Sequence, residues 1–183
     1  MYQLNKLSKN VLQTTRENWE SELEDANDSF STIGYQMTLD SAELRFTSKK
    51  DMVTTYCLVP LSGNTESAVA LLELVHVLPG HDASYMKLMA IRMTPRLDTR
   101  MPNTEANNRL TRHHETASIA AFAITSVLSK AVDMNLSKLK IFTTPQADLN
   151  LLMSIFQKLN KKELRSSGID VDSHNNWIEF KIN

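Results

Sequence analysis

A few groups of side chains in this 183-residue sequence have the types and spacing to do chemistry. Glu73 is the only acid between Glu66 and Asp82, and it stands in the middle of the otherwise apolar run Ala68 to Val77. Burial on such a strand disfavours a charged carboxyl and moves its pKa toward the range of a general base. The same position also suits an outward-facing glutamate, since an alternating strand routinely exposes one polar position. His76, three residues on, falls on the opposite face of a flat strand, so the two are not expected to be partners. Further along, Arg112-His113-His114-Glu115-Thr116-Ala117-Ser118 leads into a strongly apolar stretch. Polar residues at a helix start place backbone N–H groups where an anion can be held. The adjacent histidines do not have the i, i+3 or i+4 spacing of helical metal ligands, and no further donors complete a set, so no metal site is expected. Between Arg96 and Arg112, four arginines (Arg96, Arg100, Arg109, Arg112) face two acids, Asp98 and Glu105. Their guanidinium forks match phosphate oxygens, although a solvated charged loop reads the same way. Cys57, the one cysteine, lies in an apolar strand and reads as a buried inert thiol.

Those residues need elements to position them. Gln3 to Leu7 reads as a short first strand, and Thr14 to Ala26 as an amphipathic helix with Trp19 and Leu23 at i and i+4, capped by Thr15. Phe30 to Leu44 reads as a second helix with Ile33, Met37 and Leu44 on one stripe, interrupted by Gly34. The period then changes: Met52 to Val59, Ala68 to Val77 and Tyr85 to Met93 read as a three-strand meander, punctuated by Ser-Gly-Asn, Pro79-Gly80 and Pro95. Arg96 to Thr111 has no apolar period and is expected to be a long loop. Thr116 to Met134 is apolar on most of its circumference, as a helix buried on more than one side would be, with Asn135 at its C′ position. Leu139 to Thr143 is a short strand, expected to pair parallel to Tyr85–Met93. Thr144-Pro145 opens a helix whose apolar face includes Phe156. A polar linker then leads to the alternating strand Trp177 to Ile182.

Composition narrows the function classes. One cysteine excludes a disulfide framework and a multi-cysteine zinc site. Only four glycines occur, none between Gly80 and Gly168, so neither a P-loop nor a dinucleotide fingerprint fits there. Net charge is −1, divided as −4 over residues 1–95 and +3 over 96–183, too mild an asymmetry to argue for nucleic acid. The longest uninterrupted apolar run, Ile119 to Ile124, is too short to span a bilayer, and no membrane association is expected. The polar start lacks the apolar core of a secretory signal, so a cytoplasmic chain of one domain, residues 1–183, is expected.

The order strand, two helices, meander, central helix, strand, helix, strand resembles the GNAT N-acetyltransferase superfamily over nearly the whole chain. Ile91-Arg92-Met93-Thr94-Pro95 is similar to the apolar-x-apolar-x-Pro ending of that superfamily's fourth strand. Arg112-His113-His114-Glu115-Thr116-Ala117 is similar to its Arg-x-x-Gly-x-Gly/Ala signature in the arginine and the final alanine, but has Glu115 in place of the middle glycine. The resemblance implies an α/β fold of the mixed α+β kind, a GNAT-like acyl-CoA N-acyltransferase architecture whose central mixed sheet is flanked by helices. It implies acetyl-CoA or another acyl-CoA as substrate, with pantetheine along Ile91 and Met93 and pyrophosphate at Arg112, His113, His114, Thr116, Ala117 and Ser118. An amine acceptor would then need a base, for which Glu73 is the candidate. Two departures leave a non-catalytic binding or regulatory protein, with a protein partner, as the alternative. One is Glu115 itself. The other is that no tyrosine follows Tyr85, whereas many members carry a tyrosine on the last helix to protonate the leaving thiolate.

Overall fold

The computed structural model describes residues 1–26, 29–48, 52–62, 66–77, 84–98, 106–143, 167–174 and 176–183. Strand β1 (Tyr2–Lys6) precedes helices α1 (Lys9–Ala26) and α2 (Ser29–Leu44), then strands β2 (Val53–Pro60), β3 (Ala70–Val77) and β4 (Tyr85–Met93). Helix α3 (Ala106–Asp133) leads to β5 (Lys138–Phe142), β6 (Ile169–His174) and β7 (Trp177–Ile182). The strands form one seven-stranded sheet in the order β1-β2-β3-β4-β5-β7-β6. Every neighbouring pair is antiparallel except β4 and β5, which run parallel, as the sequence leads one to expect. This is the mixed α/β architecture, a central sheet flanked by helices.

The period-2 alternation of the strands sends consecutive residues into different cores. Leu72, Leu74, Leu88, Leu139, Ile141 and Phe180 pack with Ile119, Ala123, Ile124 and Val127 of α3. Leu71 and Cys57 pack instead with Leu12, Trp19, Leu23, Tyr35 and Leu39 of α1 and α2. The helices therefore cover opposite faces of the sheet. From Thr111 to Asp133, α3 is long and apolar enough by composition to cross a bilayer, which the six-residue apolar run did not suggest. Only about a third of that stretch is buried, as one stripe from Ile119 to Ala131 that packs into the core, so the helix is covered on one side and not on the several sides that its apolar circumference suggested. The helix ends in a Schellman motif: Asn135 adopts φ +52°, its N–H donates to the Val132 carbonyl, and the Leu136 N–H donates to that of Ala131.

Several local expectations are corrected. Helix α1 begins at Lys9, where the Ser8 hydroxyl accepts the Val11 N–H at 3.3 Å, so Thr15 is no cap. Thr15 is fully buried and accepts the Ala68 N–H at 2.9 Å, while Trp19 donates its indole N–H to the Ala68 carbonyl at 3.0 Å. On α2 the expected stripe is reversed: Ile33, Met37 and Leu44 are exposed, and Tyr35, Leu39 and Ala42 are buried. The stripe carrying the aromatic ring wins because Tyr35 packs edge-on against Trp19, 5.5 Å between centroids. Strand β6 was hidden in the polar linker. Its signal was the alternation of Ile169 and Val171 with Asp170 and Asp172, and Gly168 supplies the φ of +74° that turns the chain into it. The helix expected from Thr144, with Phe156, lies outside the described residues.

Candidate active site

β4 and β5 pair from Tyr85–Lys138 to Leu88–Ile141 and then separate, for β5 ends at Phe142 while β4 continues to Met93. The separation starts at a bulge: Glu73 of β3 faces Ala90 and Leu74 faces Leu88, so Met89 has no opposite residue. A bulge bends its strand and sharpens its twist, which carries the end of β4 away from β5. Among the described residues, the edge of β4 from Ala90 to Met93 that faces away from β3 has no strand against it. Ile91 and Met93, expected to lie beside a pantetheine arm, are on this stretch, half-buried against the α3 core.

On the α2 side of the same stretch is a cleft of about 150 Å³, lined by Thr38, Ala42, Arg45, Thr55, Leu71, Glu73, Ala90 and Arg92. Glu73 is therefore neither fully buried nor on a bare sheet face: its side chain is 28% exposed, under α2. The Arg45 Nη1 donates to the Glu73 Oε1 and to the Thr55 hydroxyl, both at 3.0 Å. The Arg92 guanidinium carbon lies over the ring of Tyr35, 5.7 Å from its centroid, and the Tyr35 hydroxyl donates to Asp98 at 3.0 Å. No carboxylate among the described residues forms an ion pair with Arg92. The separated strands and this cleft share Ala90 and Arg92, so a group entering from the β4 edge and one entering from under α2 meet at one place.

The sequence singled out Glu73 among the residues of this cleft, and did not single out Arg45, Arg92 or Tyr35 beside it. Arg92 had a signal, as a lone cation between Ile91 and Met93 on an otherwise apolar strand end. Arg45 had none beyond its place at the end of α2.

The second expected cluster is placed differently. Helix α3 starts at Ala106, inside the segment expected to be a loop, so Arg112 to Ser118 lies well within it. At 3.6 residues per turn, backbone N–H groups that deep are donated to carbonyls of the preceding turn. Polarity alone could not separate helix from loop here, because Ala106-Asn107-Asn108-Arg109 has no apolar period. The side chains are also engaged: the Thr116 hydroxyl donates to the Leu97 carbonyl at 2.9 Å, and the Ser118 hydroxyl to that of His114 at 2.9 Å. His113 and His114 are exposed and Ala117 is half-buried. Glu115 is not a first-turn acid; it meets Arg96 at 3.4 Å, and Arg96 in turn lies beside Glu22. Glu22 accepts the Thr94 hydroxyl and the Arg96 N–H, tying α1 to the end of β4.

Cys57 is fully buried, and burial pushes its thiol pKa up to about 11, in line with the inert reading. Among the described residues no group of histidine, cysteine and acidic side chains is arranged to hold a metal ion.

No protein-family model matches the sequence, and no curated protein matches it. Solved structures do. A probable acetyltransferase from Staphylococcus epidermidis ATCC 12228 is similar with a TM-score of 0.51 at 11% identity, over 98% of this chain and 96% of that one. An acetyltransferase of the GNAT family from Staphylococcus aureus MU50 is similar with a TM-score of 0.47 at 11% identity, over 100% of each chain. At such identity the likeness is one of fold. With the parallel β4–β5 pair, the bulge at Met89 and the central helix already in place, the chain has the fold of the GNAT N-acetyltransferase superfamily.

Proposed function

We propose that this chain binds an acyl-CoA at the separated edge of β4 and transfers the acyl group to an amine in the cleft under α2. The observation that carries the reading is the coincidence of the two features at Ala90 and Arg92. Unpaired strand N–H and C=O groups bind an extended, amide-bearing arm as they would a missing strand. Ile91 and Met93 are the residues proposed to lie beside it. The amine arrives as an ammonium and must lose a proton to attack. Glu73 accepts that proton and returns it to solvent, the neutral amine attacks the thioester carbonyl to form the new C–N bond, the adduct's nitrogen gives up its second proton to solvent as the carbonyl re-forms and the C–S bond breaks, and the coenzyme A thiolate takes a proton from solvent. Arg45 holds the Glu73 side chain in place, through Thr55 on the neighbouring strand. The chain thus supplies a base and an orienting cation, and no tyrosine follows Tyr85 to act as the acid.

One observation favours the non-catalytic alternative: the segment matched to the pyrophosphate signature is internal to α3. Calorimetry with acetyl-CoA separates the two. The proposal expects saturable binding at micromolar to about millimolar concentration. Absence of binding there would overturn the transferase and leave a protein that keeps the fold as an interaction module.

A further inference from the structure

We infer that the acceptor is a small amine bearing a carboxylate, of amino-acid size, whose carboxylate is bound by Arg92. The inference deepens the transferase reading and rests on it for the word acceptor, while the binding claim stands on the cleft itself.

The first ground is charge. The cleft lining carries two guanidinium groups, Arg45 and Arg92, against one carboxylate, Glu73. Arg45 and Glu73 satisfy one another at 3.0 Å, which leaves Arg92 as the cation without an ion-pair partner among the described residues. An unpaired, half-buried guanidinium loses water without compensation unless an anion completes it. A polyamine fits such a lining poorly, since an additional cation would meet Arg92.

The second ground is geometry. Glu73 pairs with Ala90 and Leu71 pairs with Arg92, so Glu73 and Arg92 are diagonal neighbours on one face of the sheet. A molecule with an ammonium at one end and a carboxylate at the other can address both at once. The Tyr35 ring, itself buried and fixed by its hydroxyl bond to Asp98, lies 5.7 Å from the Arg92 guanidinium carbon and helps hold that cation at the cleft. The third ground is size. A cleft of about 150 Å³ takes a benzene-sized guest, so it admits one amino-acid-sized group and not a folded segment.

The test is calorimetry on the whole chain, without acyl-CoA, using the common amino acids one at a time. Their primary amides serve as neutral counterparts, and aminomethylphosphonate as the phosphonate arm. The expected result is that at least one amino acid binds, its amide binds about tenfold more weakly or worse, and Arg92→Gln removes the difference. Arg92→Lys, which keeps the charge and loses the fork, is expected to weaken binding by a smaller factor. It also serves in place of Arg92→Gln if circular dichroism shows that variant to be unfolded. The inference is overturned if no amino acid binds at about 10 mM, if an amide binds as well as its acid, if the Arg92 variants bind unchanged, or if only the phosphonate binds. Acetyl-CoA binding measured separately keeps the two failures apart: Arg92-dependent carboxylate binding without acetyl-CoA binding sinks the transferase and not the carboxylate site.

Discussion

At Glu73 two environments compete for one carboxylate: an arginine 3.0 Å away, and a cleft in which it is the only acid. Replacing it with glutamine keeps the shape and a hydrogen-bond acceptor for Arg45 but removes the proton acceptor. Acyl transfer by Glu73→Gln, followed as thiol release from acetyl-CoA, is expected to fall by about 10²-fold or more with acetyl-CoA affinity unchanged. A fall in affinity with turnover intact would make Glu73 a binding residue instead. Cys57 is a different case, since nothing in the proposed chemistry uses it. Its raised pKa means that the folded protein keeps a proton which the unfolded chain has released. Stability from this thiol is therefore fully present below about pH 9 and is lost as pH rises toward 11. Over that window the unmodified protein is expected to lose about 2–3 kcal/mol more than Cys57→Ala, read from denaturant midpoints at each pH. Parallel curves for the two proteins would show that the thiol does not titrate on unfolding as argued.

Among the elements, α3 departs furthest from expectation and constrains function most. Its early start moves Glu115 from a helix terminus, where the dipole would favour it, to an interior position facing Arg96. Glu115→Gly is then a helix-interior glycine and is expected to cost about 1 kcal/mol, whereas Glu115→Ala should be close to neutral in thermal denaturation. Because the N–H of residue 115 is committed within the helix, the glycine variant is also expected to bind acetyl-CoA no more tightly than the unmodified chain. Tighter binding would mean that this turn opens to meet the phosphates. The same element shows what the sequence made legible. The apolar stretch from Thr116 to Met134 located the part that supplies the core, and Asn135 its end. Residues 106 to 115 carry no apolar period, so their place in the helix was hidden. In α2 the sequence offered two apolar stripes, and only the packing of Tyr35 on Trp19 chose between them. The strands were easier, because apolar runs punctuated by Pro60 and Pro95, the first of them β-branched, admit few other readings, although β6, flanked by polar residues, gave only a two-step alternation.

For the molecule as a whole, topology was legible because a meander followed by a crossover helix leaves the next strand one natural place, parallel to β4. The cleft was not legible, since Arg45 and Arg92 are brought to Glu73 from α2 and β4 by long-range pairing that no local pattern records. On the proposed reading, the described residues would serve the two ends of an acyl-CoA unequally. The edge of β4 from Ala90 to Met93, which no described strand covers, would address the pantetheine arm with backbone groups, and this requires no particular side chain. The nucleotide end would depend on a helix terminus, and the residues matched to that role lie inside α3 with their hydroxyls bonded to backbone carbonyls. Binding energy is therefore expected to reside mainly in the arm. S-acetylpantetheine, which lacks the nucleotide and its phosphates, should bind within about tenfold of acetyl-CoA, a difference of about 1.4 kcal/mol at most. Acetyl-CoA affinity should also change little between low and physiological salt, because few charge contacts would be there to screen. A loss of about 10³-fold on removing the nucleotide, or a steep salt dependence, would show that the molecule grips the phosphates after all.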